Sequence, residues 1–157
     1  MTSPYTELLM GLRCAVKLHE RSLDAIQRQY GLTRMETDIL AFLVNNPGKD
    51  TAADMVALRG FQRGNVSQGV EALIQKGLLN RRQDTRDRRK IHLFLTPEAE
   101  PVREAAVNAR ECFNRQLFQG LSVQERETYI RLTGQILKNA KQGLEEENES
   151  WNKTKIS

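Results

Sequence analysis

The fold is decided by residues 51–96, which read TAADMVALRGFQRGNVSQGVEALIQKGLLNRRQDTRDRRKIHLFLT. The stretch predicts a short helix (51–60), a turn (61–64), a second helix (65–76) and a hairpin with strands 78–83 and 91–96. Val66, Val70 and Leu73 recur at the spacing of one buried helix face, and Gly77 is typical of a helix end. The predicted order is therefore helix, turn, helix and hairpin.

Positive charge is concentrated in the same stretch. Residues 59–90 hold nine lysines and arginines against three acids, a net charge of +6, whereas the whole chain carries +4. Charge focused in this way favours a polyanionic partner. Two helices followed by a hairpin with a basic tip outline a winged helix-turn-helix, a module that binds duplex DNA. We therefore predict a mainly α fold with a small β-hairpin wing.

The hairpin resembles the wing of the MarR-type transcriptional regulators. The resemblance rests on Gly77-Leu78-Leu79, Arg81-Arg82, Asp84-Thr85-Arg86-Asp87-Arg88-Arg89 and Leu95-Thr96, with weaker similarity at Leu32-Thr33 and at Leu121-Ser122 with Glu125. It covers roughly residues 5 to 144. It implies a sequence-specific regulator that binds double-stranded DNA, a ligand-responsive repressor that acts as a homodimer on a pseudo-palindromic operator.

Long helices are predicted on both sides of the DNA-binding lobe, which we place at residues 33–96. In the family that the chain resembles, the early helix and the last two helices intertwine into a dimer body. Residues 5–30 and 97–144 are accordingly predicted as the helical dimerisation region, and residues 145–157 as a flexible acidic tail. The apolar stripe of residues 5–30 must be buried either in the core of one subunit or against a partner subunit.

Capping residues and glycines in the sequence predict local details of the DNA-binding lobe. Thr33 with Glu36 predicts a capping box at the start of its first helix. Thr51 either caps the next helix or contacts a phosphate, and capping is the better-supported role. Gly64 and Gly69 allow either close packing against a neighbouring helix or approach to a phosphate.

Two groups of polar residues are candidates for DNA contact. The candidates for the major groove are Arg63, Asn65, Ser67 and Gln68. The candidates in the wing are Arg86, Arg88 and Arg89. Polar side chains of the first group can hydrogen-bond to base edges, and arginines on a hairpin can sense the width of a minor groove. The alternatives are an ordinary exposed helix face and a solvated basic turn.

Two aspartates are predicted to position the wing. Asp84 is expected to hold the backbone of the tip in an Asx-type turn. The resemblance implies that Arg89 is the residue that enters the minor groove, and Asp87, two residues earlier, is expected to orient it by an ion pair.

Further predicted partners are a second copy of the chain and a small-molecule effector. The effector crevice is predicted to include Leu12, Val16 and Leu40. Cys14 is interpreted as a small buried hydrophobic residue. The alternative is a thiol-based redox sensor, because some members of the family sense peroxides through a cysteine on the first helix.

Other functional classes lack the residues that they need. No apolar run of about 18 residues and no secretory leader is present, and Cys14 and Cys112 fit a reducing cytoplasm. His19 and His92 lack metal-ligand spacing, and His92 is interpreted as either a surface residue or a residue on the phosphate side. No nucleophile–base pair or phosphate-binding loop indicates an enzyme, so we expect no catalytic residue, cofactor or metal. A winged helix that binds another protein instead of DNA remains the alternative.

Overall fold

The structure is a computed structural model that describes the backbone of residues 1–156 and the side chains of residues 1–147. The chain forms two compact units, Met1–Leu117 and Phe118–Ser157. The first unit contains α1 (Pro4–Tyr30), α2 (Arg34–Asn45), α3 (Ala52–Arg59), α4 (Arg63–Gln75), β1 (Leu79–Gln83), β2 (Ile91–Leu95), a 3-10 turn (Pro97–Ala99) and α5 (Glu100–Leu117). The second unit contains α6 (Val123–Ile156). The predicted architecture, mainly helical with one antiparallel hairpin, is confirmed.

The helices α2 and α3 begin at capping boxes. Thr33 Oγ1 accepts the N–H of Glu36 at 3.2 Å, and Glu36 Oε2 accepts the N–H of Thr33 at 2.9 Å. Thr51 and Asp54 repeat this arrangement at the start of α3. Each pair satisfies two backbone donors that have no partner within the helix, which fixes where the helix begins.

The core of the first unit is shared by α1, α2, α3, α4, α5 and the hairpin. Ile39, Met55, Val66 and Leu73 are each 0% exposed. The hairpin joins this core through Leu79 and other buried residues of its inner face. Its register pairs Leu79 with Leu95 and Gln83 with Ile91. The wing is therefore anchored at its base by burial, whereas its tip is exposed.

The helix α4 begins earlier than the sequence predicts. Arg63 is the first residue of α4, so that Arg63 and Gly64 lie in the first turn of the helix and not in the preceding turn. Gly69 faces α2, where an added Cβ would lie 2.6 Å from Ile39 Cδ1. Close packing is therefore the role of Gly69, since its position leaves no space for a side chain.

α1 is buried only along its C-terminal half. Leu23 and Ile26 lie in the core, where α1 packs against α2 and α5. The N-terminal half leaves large apolar side chains exposed, namely Tyr5, Leu8, Leu9, Met10, Leu12 and Val16. The core of the first unit thus accounts for only part of the apolar stripe of this helix.

The second unit is built around α6, which begins at a capping box between Ser122 and Glu125. Phe118 and Tyr129 contact each other edge to face, with ring centroids 5.5 Å apart. α6 also leaves apolar side chains exposed, namely Val123, Tyr129, Ile130, Leu132, Ile136, Leu137 and Leu144. Residues 145–147 lie within α6, and the predicted flexible tail otherwise falls outside the residues whose side chains are described. No helix of the described part of the chain is long and apolar enough to cross a membrane.

Candidate nucleic-acid interface

The outer face of α4 presents the four residues predicted for the major groove. Arg63, Asn65, Ser67 and Gln68 are all exposed, and Val66 lies buried on the opposite face of the same helix. The N-terminal end of α4 has no side-chain cap, because Gln62 makes no capping hydrogen bond. The free N–H groups and the positive end of the helix dipole therefore remain available to an anionic partner.

Asp84 organises the tip of the wing. Its Oδ1 accepts the N–H of Arg86 and the N–H of Asp87, each at 2.7 Å, which is the geometry of an Asx-type turn. Asp84 also accepts a hydrogen bond from the His92 side chain. In order of decreasing effect, the hydrogen bonds from the Asp87 N–H, the His92 side chain and the Arg86 N–H lower the pKa of Asp84 to about 2. Gln83 Nε2 donates to the carbonyl of Arg88 at 2.7 Å and closes the turn from the other side.

Asp87 acts on the backbone and not on a guanidinium. Its Oδ1 accepts the N–H of Arg89 at 3.0 Å. The ion pairs among the described residues do not include the predicted one between Asp87 and Arg89. An aspartate side chain is short, so it reaches the amide two residues ahead in a tight turn while the Arg89 side chain extends away.

The structure brings the wing and α4 to one groove. This groove, of about 610 Å³, is lined by Arg63 and Ser67 of α4 and by Arg89 and Lys90 of the wing. Thr51 and its neighbours at the start of α3 form another wall. Asn65 and Gln68, like Arg86 and Arg88 at the tip, lie outside the groove lining. Residues that are 26 positions apart in the sequence, Arg63 and Arg89, thus share one surface.

The basic residues of this region divide into two sets. Lys76 and Arg81 are held in ion pairs with Glu36 and Glu71, and Arg82 lies 5.0 Å from the centroid of the Phe94 ring. The other set consists of Arg63, Arg86, Arg88, Arg89 and Lys90. No ion pair found in the described part of the chain involves a member of this second set. Their charges are therefore free for an external anion.

His92 has a role that the sequence did not indicate. Its Nδ1 lies 2.7 Å from Asp50 Oδ1, and its Nε2 lies 2.9 Å from Asp84 Oδ2. The ring thus connects the wing to the loop before α3, and it is not a free surface residue. Asp50 stands 42 positions away in the sequence, and no local pattern signals this contact.

The residues predicted for an effector crevice differ in their burial. Leu40 is 1% exposed in the core, whereas Leu12 and Val16 lie on the exposed half of α1. A cavity of about 440 Å³ exists elsewhere, between α1, α2, α3 and α5. Its lining includes His19, Phe42, Arg59, Arg110 and Phe113. Burial, with a contribution from Arg59, lowers the pKa of His19, which favours the neutral imidazole.

Cys14 is exposed on α1, so the interpretation as a buried hydrophobic residue is wrong for the chain by itself. It lies on the half of the helix that the core leaves uncovered, beside Leu12 and Val16 in sequence. Cys112 is half-buried. Within the described residues, no group of three histidine, cysteine or acidic side chains has the arrangement of a metal site.

Comparison with known proteins agrees with this architecture, which is that of a winged-helix protein. The family model described as MarR family matches residues 30–90. The transcriptional regulator HosA of Escherichia coli O157:H7 is 21% identical over 106 residues, which cover 68% of this chain and 78% of HosA.

Two solved structures share the fold. The first is a MarR-family transcriptional regulator of Listeria monocytogenes complexed with 26mer DNA, with a TM-score of 0.70, 16% identity and coverage of 88% of this chain and 89% of the other. The second is BpsR of Bordetella bronchiseptica, described in connection with regulation of its DNA binding by 6-hydroxynicotinic acid, with a TM-score of 0.61, 22% identity and coverage of 85% and 92%. Residues 30–90 therefore match the MarR family model, and the chain shares the fold of these two structures.

Proposed function

We propose that the protein is a DNA-binding transcriptional regulator and not an enzyme. The observation that carries the proposal is the groove shared by Arg63 and Ser67 of α4 and Arg89 of the wing. α4 would enter the major groove, where Arg63, Asn65, Ser67 and Gln68 meet base edges and phosphates. The wing would follow the backbone to the adjacent minor groove, which Arg89 enters while Arg86 and Arg88 contact phosphates.

The roles proposed for Arg89 and Thr51 follow from how each side chain is held. Arg89 stands on a turn whose backbone is fixed by Asp84 and Asp87, so that little conformational entropy is lost when it binds. Thr51 is already engaged with Asp54, and its part is to fix the start of α3. The solved complex of the Listeria regulator with DNA supports this use of the fold.

A homodimer is the second part of the proposal. Exposed apolar side chains cover the N-terminal half of α1 and much of α6, and each face would be covered by the other copy. A symmetric dimer reads two half-sites, and their centres should lie about 34–36 Å apart, one turn of DNA. The operator is therefore expected to be pseudo-palindromic.

A small-molecule effector is the third part. The cavity of about 440 Å³ contains the cations of Arg59 and Arg110 and the rings of Phe42, Phe113 and His19, and its lining has no acidic residue. Such a cavity suits a small aromatic carboxylate, the class to which the effector named for BpsR belongs. Binding would favour one separation of the two recognition helices over another and would release DNA, as expected of a repressor.

The test is binding to the DNA upstream of the protein's own gene, measured across a salt series for the wild type and Arg89→Ala. Saturable binding that weakens steeply with salt, and that is much weaker in the variant, is expected. Arg103→Ala, which removes an exposed arginine of α5, is the matched control and should bind as the wild type does. A folded dimer that binds no DNA at low salt, with operator candidates from the flanking genes included, would instead favour a protein-binding module.

A further inference from the structure

His92 is held between two carboxylates that come from separate parts of the lobe. Asp50 lies in the loop before α3, and its carbonyl oxygen also accepts the N–H of Leu93 at 2.9 Å. This backbone contact places the Asp50 side chain beside the ring, 2.7 Å from Nδ1. Asp84, 2.9 Å from Nε2, is the residue that holds the wing turn through Arg86 and Asp87.

The two contacts together specify the charge of the ring. An ionised carboxylate only accepts hydrogen bonds, and a neutral imidazole has only one N–H to donate. With a neutral ring, one of the two nitrogens would present a lone pair to a carboxylate oxygen. Both contacts can be hydrogen bonds only when His92 is an imidazolium that donates from Nδ1 to Asp50 and from Nε2 to Asp84.

We propose that His92 is a positioning residue for the wing, whose imidazolium clamps Asp84 to Asp50 and whose deprotonation releases one end of the clamp and weakens DNA binding. Release acts through Asp84, because the same carboxylate fixes the amides of Arg86 and Asp87. The tip then samples more conformations, and holding it against DNA costs more entropy. This inference rests on the DNA-binding function proposed above.

The direction of the pH dependence follows from the same contacts. The hydrogen bonds to Asp50 and then to Asp84 raise the pKa of His92, against a smaller opposing effect of desolvation. The clamp is therefore complete below the ordinary histidine pKa of about 6.5 and is lost as the pH rises through the raised value. Other charged groups on the surrounding elements are Lys49, Asp54, Arg63, Glu71, Arg81, Arg82, Arg89 and Lys90. Among the described residues, only Asp50 and Asp84 form ion pairs with the ring.

The first experiment tests the clamp without DNA. The chain has two histidines, so a proton NMR titration of the imidazole signals is simple to assign with His92→Gln. We expect His92 to titrate above the ordinary value in the wild type and at lower pH in Asp50→Asn and in Asp84→Asn. Glu98→Gln removes an exposed carboxylate outside the clamp and should leave the titration unchanged. If His92 titrates at the same pH in the wild type and in Asp50→Asn, the clamp is overturned.

The second experiment measures DNA affinity between pH 6 and pH 9 at constant ionic strength. Wild-type affinity should fall as the pH rises. The total loss should be about tenfold for each unit by which the pKa of His92 is higher in the DNA complex than in the free protein. His92→Gln and Asp50→Asn should both bind with a much flatter pH profile, so the conclusion does not depend on one variant. Equal pH profiles in the wild type and both variants would overturn the clamp while leaving the proposed function intact. Absence of DNA binding at every pH, with the expected NMR titration, would overturn the proposed function and the effect on DNA together.

Discussion

Lys76 Nζ lies 2.7 Å from Glu36 Oε2, and this ion pair joins the C-terminal end of the recognition helix α4 to the first turn of α2. The Glu36 side chain is only 5% exposed, and the same oxygen accepts the N–H of Thr33. Lys76 also donates to the carbonyl of Gly31 at 3.2 Å. One lysine of the basic stretch is thus engaged in an ion pair within the lobe.

Replacing Glu36 with Gln should destabilise the protein. The variant keeps the shape but loses the charged hydrogen bonds, so the free energy of unfolding should fall by about 1–2 kcal/mol. Urea denaturation at pH 7 measures this. Glu100→Gln is the matched control, because its ion pair with Arg103, at 3.4 Å, is exposed and should contribute less than about 0.5 kcal/mol.

The same pair predicts how stability depends on pH. Burial tends to raise the pKa of Glu36, but the hydrogen bonds from Lys76 and Thr33 outweigh it, and the pKa is lowered. A depressed folded-state pKa gives stability that is present above the unfolded value of about 4.3 and is lost as the pH falls through the folded value. The difference in the free energy of unfolding between the wild type and Glu36→Gln should therefore become smaller as the pH falls. A constant difference between pH 7 and pH 3 would contradict this assignment.

Two glycines of α4 should respond oppositely to alanine. At Gly64 an added Cβ meets nothing within 4 Å, so Gly64→Ala should stabilise the helix by about 0.5–1 kcal/mol. At Gly69 the Cβ would lie 2.6 Å from Ile39 Cδ1 and 3.1 Å from Met35 Cγ. Because Ile39 is fully buried, overpacking of about 1–3 kcal/mol should exceed the gain in helix propensity. Thermal denaturation compares the stability of the two variants directly. If Gly69→Ala is as stable as Gly64→Ala, the side chains of α2 must shift to make room for the added methyl group.

Arg63 and Arg88 should affect DNA binding in different ways. Arg88→Ala removes a proposed phosphate contact, so affinity should fall similarly on operator and unrelated DNA, and the salt slope should decrease by about one. Arg63→Ala should lose more affinity on the operator than on unrelated DNA, by about 1–3 kcal/mol if the side chain bonds to a base. Titrations of both DNAs at three salt concentrations separate the two. An identical pattern for the two variants would mean that Arg63 contacts only phosphate.

The proposed dimer is tested on two exposed apolar faces of the chain. Val16→Glu on α1 and Ile136→Glu on α6 each place a charge where a partner subunit is proposed, and both should shift the protein towards monomer in sedimentation experiments. Gln119→Glu introduces the same residue at an exposed polar position and should remain a dimer. Dimers in all three variants would place the interface elsewhere.

The proposed effector site is tested by Arg110→Ala. Arg110 Nη1 donates to Asn45 Oδ1 at 3.1 Å, and this contact holds the guanidinium at the cavity wall. The variant should bind DNA normally but should lose the response of DNA binding to 6-hydroxynicotinic acid and related aromatic carboxylates. Arg115→Ala, an exposed arginine of the same helix, is the control. If no aromatic carboxylate changes DNA binding by the wild type, this cavity is not an effector site for that class.

Much of the architecture was determined by the sequence alone, because it rests on interactions between residues close together in the chain. The helical spacing of Val66, Val70 and Leu73, and the capping box of Thr33 with Glu36, depend on neighbours three to seven positions away. The turn at Asp84 is equally local, since its carboxylate bonds to amides two and three positions ahead.

The tertiary structure decided what depends on packing between distant segments. His92 reaches Asp50 only because the loop before α3 bonds to β2, and Gly69 meets Ile39 only because α4 crosses α2. An apolar residue such as Leu12 carries the same sequence signal as Leu40, but one is exposed and the other is in the core. Periodicity shows that a helix has an apolar face; which neighbour covers that face is a property of the assembled fold.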